Sequence, residues 1–301
     1  MQAPTSPDTT STRGSSTALS RTPPSDRGPS RSARHDLRHH GALVRASNIL
    51  SVTRQVRYSL RNENAIDVVL FVNGIPVATL ELKNSLNGIS CRTAERLYRE
   101  DRSPASEPLL TFRRGALVRF ALDENHVSMT TRLQNGRTRF LPFDRGRDGG
   151  AGNPDIEGEF RIGYLHADQP EGKAVFSREV LLDILGRFMH LDEEELPEGT
   201  VKETMLRPRF HQLDAMRRLA AHARENGPGQ AYLIQHSARS GKSNTIGWAA
   251  HRLISLHDAD DKAVFDSVII VTDRLVLYAI VAQIVRLATP IWSGSPSTRR
   301  G

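Results

Sequence analysis

The sequence predicts an α/β protein in which a strand-rich domain precedes a parallel α/β segment. Residues 49–133 contain four or five short apolar runs that read as strands, and one helical segment. Residues 231–272 follow the order strand, loop, helix, strand, which is a βαβ unit with parallel strands. Residues 1–40 are rich in Ser, Thr, Pro and Arg and predict a disordered tail. We therefore expect a tail over 1–45, a first domain over 46–200 and a second over 201–301.

Composition limits the compartment and the class of protein. A length of 301 residues allows one or two domains with a sizeable core. The single cysteine, Cys91, excludes an intrachain disulfide framework and suits a reducing cytoplasm. No apolar run approaches the ~18 residues of a membrane span, so we expect a cytoplasmic protein with no membrane contact. The net charge of +7 is compatible with a polyanionic partner without identifying one.

The elements of the first domain follow from local patterns of apolar, glycine and proline residues. The expected elements are a strand or helix entry over 49–60, a hairpin over 66–83, a helix over 92–100, three strands (LLTFRR, GALVRFAL and HVSMTTRL) within 108–133, turns over 141–154 and a helix over 178–190. The acidic run before Pro197 is expected to be a linker.

The stretch IDVVLFVNGIPVATLELK, residues 66–83, is the most informative of the chain. Two apolar runs joined by Asn73-Gly74 predict a β-hairpin, with Asp67 on the first strand and Glu81 and Lys83 on the second. Two acids and a lysine on one sheet face suit metal-assisted phosphodiester cleavage, because carboxylates hold Mg²⁺ and the cations stabilise charge on the phosphate. The alternative is a partly exposed sheet whose solvent face carries these residues by chance.

The register of the hairpin decides whether these side chains share a face. With a plain two-residue loop, Asp67 would oppose Leu80 and point away from Glu81. With a three-residue loop ending in a glycine bulge, Asp67 would oppose Thr79 and share a face with Glu81 and Lys83. We therefore predict an odd-length loop or a bulge in this hairpin.

The second region contains the end of a phosphate-binding loop. Helices are expected over 209–224 and 242–256, and buried strands over 231–235 and 267–272. Gly241-Lys242-Ser243 lies between the first of these strands and the second helix, where backbone N–H groups would cradle phosphates and Ser243 would ligate Mg²⁺. His236 stands where a glycine is expected, and Arg239 is bulky for the tight turn. A chance GKS sequence is the alternative.

Several longer stretches resemble the restriction (motor) subunit of type I restriction–modification enzymes. They lie within residues 52–301 and comprise RQVRYSLRNENAIDVVLFVNGIPVATLELKN, LLTFRRGALVRFALD, RFLPFDRGRDGGAGNP, PRFHQLDAMRRL, YLIQHSARSGKSNTIGWAAHRL and SVIIVTDRLVL. The resemblance implies a restriction-endonuclease-like nuclease domain of the PD-(D/E)xK type, built on a mixed β-sheet. RecA-like lobes that use ATP to pull DNA would follow it. It also implies double-stranded DNA and the methylation and specificity subunits as partners.

The resemblance assigns roles residue by residue. Asp67, Glu81 and Lys83 match the nuclease signature, with Asp67 and Glu81 as metal ligands. The residues that match the ATP site are Gln212, Ser240, Gly241, Lys242 and Ser243. Gln212 would contact adenine; without the family it could be an ordinary surface residue. Thr272-Asp273-Arg274 matches the segment that couples ATP to DNA, and Tyr98 matches an aromatic residue of the nuclease helix in altered surroundings.

After Leu277 the family pattern ends, and we expect a truncated copy with only part of the RecA-like motor. Two hypotheses follow. The chain is either an Mg²⁺-dependent DNA endonuclease with an incomplete ATP-binding lobe, or a non-catalytic DNA-binding remnant. A small P-loop kinase is a third reading, for which the sequence offers no lid and no acceptor site.

Overall fold

The structure, a computed structural model, describes residues 47–85, 88–148, 150–156, 160–165, 174–237 and 240–271. These described residues belong to one compact unit that begins at residue 45. The predictions for the tail, for Arg239 and for the 272–274 segment lie outside the described residues. The bounds of the three predicted regions stay predictions.

A six-stranded mixed sheet forms the centre of the fold, as the α/β prediction requires. Its strands are β1 (Leu50–Arg57), β2 (Ala65–Val72), β3 (Ile75–Leu82), β4 (Val118–Leu122), β5 (Val127–Thr130) and β6 (Leu141–Pro142), arranged in that order across the sheet. Only β3 and β4 pair in parallel; the other neighbours are antiparallel.

Helix α1, Cys91–Glu100, makes the crossover that the parallel pair requires. It covers one face of the sheet, where Ala94 and Tyr98 are fully buried. The Tyr98 hydroxyl lies 2.8 Å from Thr79 Oγ1 on β3. The expected helix over 92–100 is thus confirmed, and one face of the sheet is buried beneath it.

The opposite face of the sheet packs against the later helices. These are α2 (Arg178–Asp183, continued by a π-helical turn over Ile184–Phe188), α3 (Phe210–Asn226) and α4 (Lys242–Ile254). One continuous hydrophobic core joins Leu80 and Phe120 of the sheet to Leu213 of α3 and Trp248 of α4. The helices predicted over 178–190, 209–224 and 242–256 are therefore present.

The predicted strand LLTFRR is wrong, because residues 108–114 form successive turns. The N–H groups of Leu110 and Thr111 donate to the Glu107 carbonyl, 3.0 Å away in each case. Gly115 closes this turn against the backbone: a Cβ on it would lie 2.1 Å from the Leu109 oxygen. Local hydrogen bonds of this turn override the strand propensity here.

The acidic run before Pro197 is also not a linker. It forms strand β7, His190–Glu195, which pairs antiparallel with β8, Val201–Leu206, in a separate two-stranded sheet. Lys202 Nζ lies 2.9 Å from Glu194 Oε2 across this pair. Opposite charges on facing strands reduce the repulsion among the acids.

The strands predicted on either side of α4 are not formed in the described part of the chain. Residues 231–235 and 267–271 have no ladder partner, and Leu233, Ile269 and Val271 are 91%, 85% and 91% exposed. A strand exists only when a neighbour satisfies its backbone groups. The structure therefore contains the helices of the expected second region but not its parallel sheet, and it offers no support for a RecA-like lobe.

None of the described helices is long and apolar enough to cross a membrane.

Candidate functional site

Asp67 of β2 and Glu81 of β3 come opposite each other when the register that pairs Val68 with Leu80 is extended by one residue. The hairpin turn has two residues, Asn73 and Gly74, both with positive φ of 53° and 80°, which suits the twist of a two-residue hairpin. Val72 pairs with Ile75, but Val77 is an extra residue that shifts the register, so that Val68 pairs with Leu80.

The predicted bulge is therefore present, but the predicted partner of Asp67 is wrong. The bulge lies within β3 rather than in the loop, and the register of Val68 with Leu80 continues to Asp67 with Glu81, not Thr79. An extra residue in one strand reverses the facing of every side chain beyond it. Asp67 and Glu81 therefore share one face of the sheet, as predicted, and they do so because of this bulge.

Lys83 completes the cluster. Its Nζ lies 3.9 Å from Asp67 Oδ2 and 3.6 Å from Glu81 Oε2. The two carboxylates thus face one cationic group from opposite strands. The structure brings together the three residues that the sequence predicts for the nuclease.

The Asp67 carboxylate is held by both of its oxygens. Oδ2 accepts a hydrogen bond of 2.8 Å from the Leu82 N–H, and Oδ1 accepts one of 3.1 Å from Gln55 Nε2. Gln55 has a φ of 51° within β1, a conformation that non-glycine residues rarely adopt. This local distortion of the strand occurs at the residue that reaches Asp67.

Glu81 is buried, with 1% of its side chain exposed, and it is paired with Arg102. Arg102 Nε and Nη2 lie 3.0 Å and 2.9 Å from Glu81 Oε1. Burial raises the pKa of Glu81, and Asp67 adds to this effect, while Arg102 and Lys83 oppose it. The net direction is upward, because the effect of burial outweighs the opposing effects of Arg102 and Lys83.

The donor set fits a hard divalent cation. Both carboxylates supply oxygen ligands, and Mg²⁺ in proteins commonly uses one or two carboxylates together with water and substrate phosphate. The position of the Lys83 ammonium shows that Asp67 Oδ2 and Glu81 Oε2 converge on a common point. Among the described residues no group of three or more His, Cys, Asp or Glu side chains could hold a metal ion, so this cluster offers two carboxylates and no third side chain of these types.

Sequence reasoning missed the residues around the acids, Gln55, Tyr58 and Arg102. Arg102 lies 21 positions from Glu81, and Gln55 lies 12 positions from Asp67. Gln55 and Tyr58 belong to the stretch RQVRY, which resembles the family, but no spacing rule gives their partners. Only the pairing of β1 with β2 and the end of α1 reveal these contacts.

The residues predicted to bind ATP form a second group, around the start of α4. Gly241 is the N-cap, with a φ of 90°. Lys242 Nζ donates to the carbonyls of His236 and Ser237, at 2.9 Å and 3.3 Å, within its own loop. Ser240 is buried and its Oγ has no hydrogen-bond partner among the described residues. Ser243 is half-buried in the first turn of α4.

Gln212 is engaged in helix packing. Its Nε2 donates to the Gly241 carbonyl at 2.9 Å and to Thr245 Oγ1 at 3.0 Å, and its Oε1 accepts from the Arg209 N–H at 2.9 Å. With 2% exposed, this side chain ties α3 to α4. Contact with an adenine ring stays a prediction, and it would require Gln212 to give up some of these bonds.

Residues 32–136 match the family model for the N terminus of the type I restriction enzyme R protein (HSDR_N). The matched segment includes Asp67, Glu81 and Lys83, and also Gln55 and Arg102. The residues predicted to bind ATP lie outside it. A comparison with curated proteins gave no match.

Proposed function

Because residues 32–136 belong to the family of the type I restriction enzyme R protein N terminus, we propose that the chain is a restriction subunit and a DNA endonuclease. The observation that carries this proposal is the convergence of Asp67, Glu81 and Lys83 on one sheet face. Double-stranded DNA is the proposed substrate. The proposed partners are the methylation and specificity subunits, which would supply sequence recognition.

Each side chain of the cluster has a distinct role in this proposal. Asp67 and Glu81 would hold Mg²⁺, which when bound supplies Lewis-acid stabilisation and a more acidic water. Lys83 is 18% exposed at the side chain and therefore reaches solvent, where it can approach a phosphate. It would orient the attacking water or stabilise the charge that develops on the phosphorus oxygens.

A cation held by both carboxylates would take the place that the Lys83 ammonium has between them. Because the ammonium lies between the two carboxylates, we propose that Lys83 turns toward the DNA phosphate as the cation enters. The lysine side chain is long and flexible enough for this change. Its amine would then neutralise phosphate charge instead of carboxylate charge.

The proposal extends to ATP binding at Gly241-Lys242-Ser243, with Mg²⁺ at Ser243, and to ATP-dependent DNA translocation. The supporting feature is the left-handed Gly241 at the start of α4, which leaves helix N–H groups available to a phosphate. The alternative of a non-catalytic remnant has no specific observation in its favour.

A plasmid-nicking assay with Mg²⁺ tests the nuclease. We expect the purified chain to nick supercoiled DNA, and Lys83→Ala to lower the rate by about 10²-fold, the effect of losing one positioned electrostatic group. Lys202→Ala is the matched control, since Lys202 is an exposed lysine that pairs with Glu194 on the separate sheet. Nicking that is unchanged in Lys83→Ala would contradict the proposed function.

A further inference from the structure

Arg102 lies just beyond the end of α1, with 9% of its surface exposed. Its N–H donates to the Leu97 carbonyl at 3.0 Å, so its backbone continues the last turn of the helix. From this position its guanidinium reaches under the hairpin that carries the two acids. A buried arginine is uncommon, and it requires partners for its charge and its donors.

The guanidinium contacts three separate parts of the chain. Nη2 donates to the Ala65 carbonyl at 2.9 Å, at the start of β2 and two residues before Asp67. The guanidinium carbon lies 5.8 Å from the ring centroid of Tyr58, which follows β1. Together with the bond to Glu81 on β3, these contacts fix the orientation of the planar fork.

The contact with Glu81 is one-sided. Both Nε and Nη2 bind the same oxygen, Oε1, at 3.0 Å and 2.9 Å. The other oxygen, Oε2, is the one that lies 3.6 Å from Lys83 Nζ, on the side of Asp67. One oxygen of Glu81 is therefore held by the protein, while the other faces the shared cationic position.

We propose that Arg102 is a positioning residue that holds Glu81 by Oε1 and thereby directs Oε2 to the cation site. This inference rests on the proposed function, because it concerns the same site. Arg102 acts through Glu81 and contacts neither the cation nor DNA. This positioning role differs from simple charge compensation, for which any buried positive group near Glu81 would suffice.

Direct Mn²⁺ binding tests the inference without reference to DNA cleavage. The probe is Mn²⁺ alone, and the readout is the loss of the free-ion electron paramagnetic resonance signal on titration with the full chain. We expect the wild-type chain to bind Mn²⁺ and Arg102→Gln to raise the dissociation constant by about 10-fold or more, as for residues that orient metal ligands.

Two further variants separate positioning from charge. Arg102→Lys keeps the positive charge but loses the fork that binds Glu81 and Ala65 together, and we expect weakened Mn²⁺ binding there too. Arg99→Gln is the matched control: Arg99 lies on the same helix and bonds Glu95 and the Thr138 carbonyl, away from the acids. We expect its Mn²⁺ affinity to equal that of the wild type.

Each outcome decides one point. If the wild-type chain and Arg99→Gln bind no Mn²⁺, the proposed function fails, and the inference fails with it. If the wild-type chain and Arg99→Gln bind Mn²⁺ but Arg102→Lys binds it equally well, only the inference about Arg102 is overturned. A positive charge near Glu81 would then be sufficient. Should Arg102→Gln not fold, as judged by circular dichroism, Arg102→Lys still decides between the two readings.

Discussion

At the scale of single residues, Glu81 depends most on its neighbours. With 1% of the side chain exposed, its carboxylate has almost no water to solvate a negative charge. The partners Arg102 and Lys83 replace that solvation. Loss of one partner of a buried ion pair commonly destabilises a protein by about 3–5 kcal/mol, because the remaining charge is left uncompensated. Removal of Arg102 or Lys83 is therefore expected to lower the stability of the fold as well as to alter the site.

Cys91 provides a prediction at the same scale. Burial raises the pKa of its thiol from 9.0 to about 12, an effect that its contact with Ser128 only partly opposes. At about pH 8 we expect the native thiol to react far more slowly with an aromatic disulfide reagent than in concentrated urea, since the thiolate is the reactive form. Absorbance of the released thiolate measures the rate, and Cys91→Ser gives the background.

The same pKa shift predicts how stability responds to alkaline pH. Below pH 9 both the folded and the unfolded thiol are protonated, and the contribution of Cys91 to stability is complete. Between pH 9 and about 12 the unfolded chain releases this proton and the folded chain retains it, so stability falls as pH rises. Equal thiol reactivity in the native and unfolded chains would contradict the burial of Cys91.

At the scale of secondary-structure elements, one extra residue determines the geometry of the site. The bulge at Val77 lets a two-residue turn coexist with Asp67 opposite Glu81. The turn itself is tied to the start of β1, because the Asn73 N–H donates to the Ile49 carbonyl at 2.7 Å. Bulges are common next to functional sites, where they redirect a side chain. The local sequence pattern predicts that a bulge is needed to bring Asp67 and Glu81 to one face. The position of the bulge within β3 depends on packing.

Gly115 provides the prediction at this scale. A Cβ at this position would lie 2.1 Å from the Leu109 oxygen, so Gly115→Ala forces the turn before β4 apart. We expect a loss of about 1–3 kcal/mol in the free energy of unfolding, measured in urea. The control is Gly186→Ala, in the π-helical turn, where a Cβ meets nothing within 4 Å. That substitution should be neutral or stabilising by up to about 1 kcal/mol. Equal effects of the two would contradict this packing of Gly115.

At the scale of the whole molecule, the region around α4 differs most from expectation. Helices α3 and α4 pack on the sheet through Leu213 and Trp248, so their amphipathic patterns are satisfied. The apolar segments beside α4 remain without ladder partners among the described residues, and Leu233 is 91% exposed. Such apolar exposure is unfavourable for an isolated chain and favours association.

A comparison of two leucines tests this arrangement. Leu233→Ala should change the free energy of unfolding by no more than about 0.5 kcal/mol, since the side chain is in solvent. Leu213→Ala removes a side chain that is 1% exposed in the core, and a loss of about 2–5 kcal/mol is expected. Chemical denaturation measures both. A comparable loss for Leu233→Ala would show that residues 231–235 pack as a buried strand after all.

The sequence by itself determined the features that depend on near neighbours in the chain. Two apolar runs joined by Asn73-Gly74 indicated the hairpin, helical spacing indicated α2 and α3, and the pattern of Asp67, Glu81 and Lys83 indicated a candidate site. These signals are local, because strand and helix periods place residues a few positions apart on one face. Resemblance within residues 52–301 indicated the family, and the family match over residues 32–136 agrees with it.

Only the tertiary structure decided which distant residues surround the site. The contacts of Arg102 with Glu81 and of Gln55 with Asp67 join different elements, and no periodicity encodes them. The antiparallel pair β7 and β8 and the unpaired segments beside α4 were decided in the same way, since a strand requires a partner that its own residues do not specify. Local sequence pattern determines on which face of a strand or helix a side chain lies. Packing between elements determines which distant residue that side chain contacts.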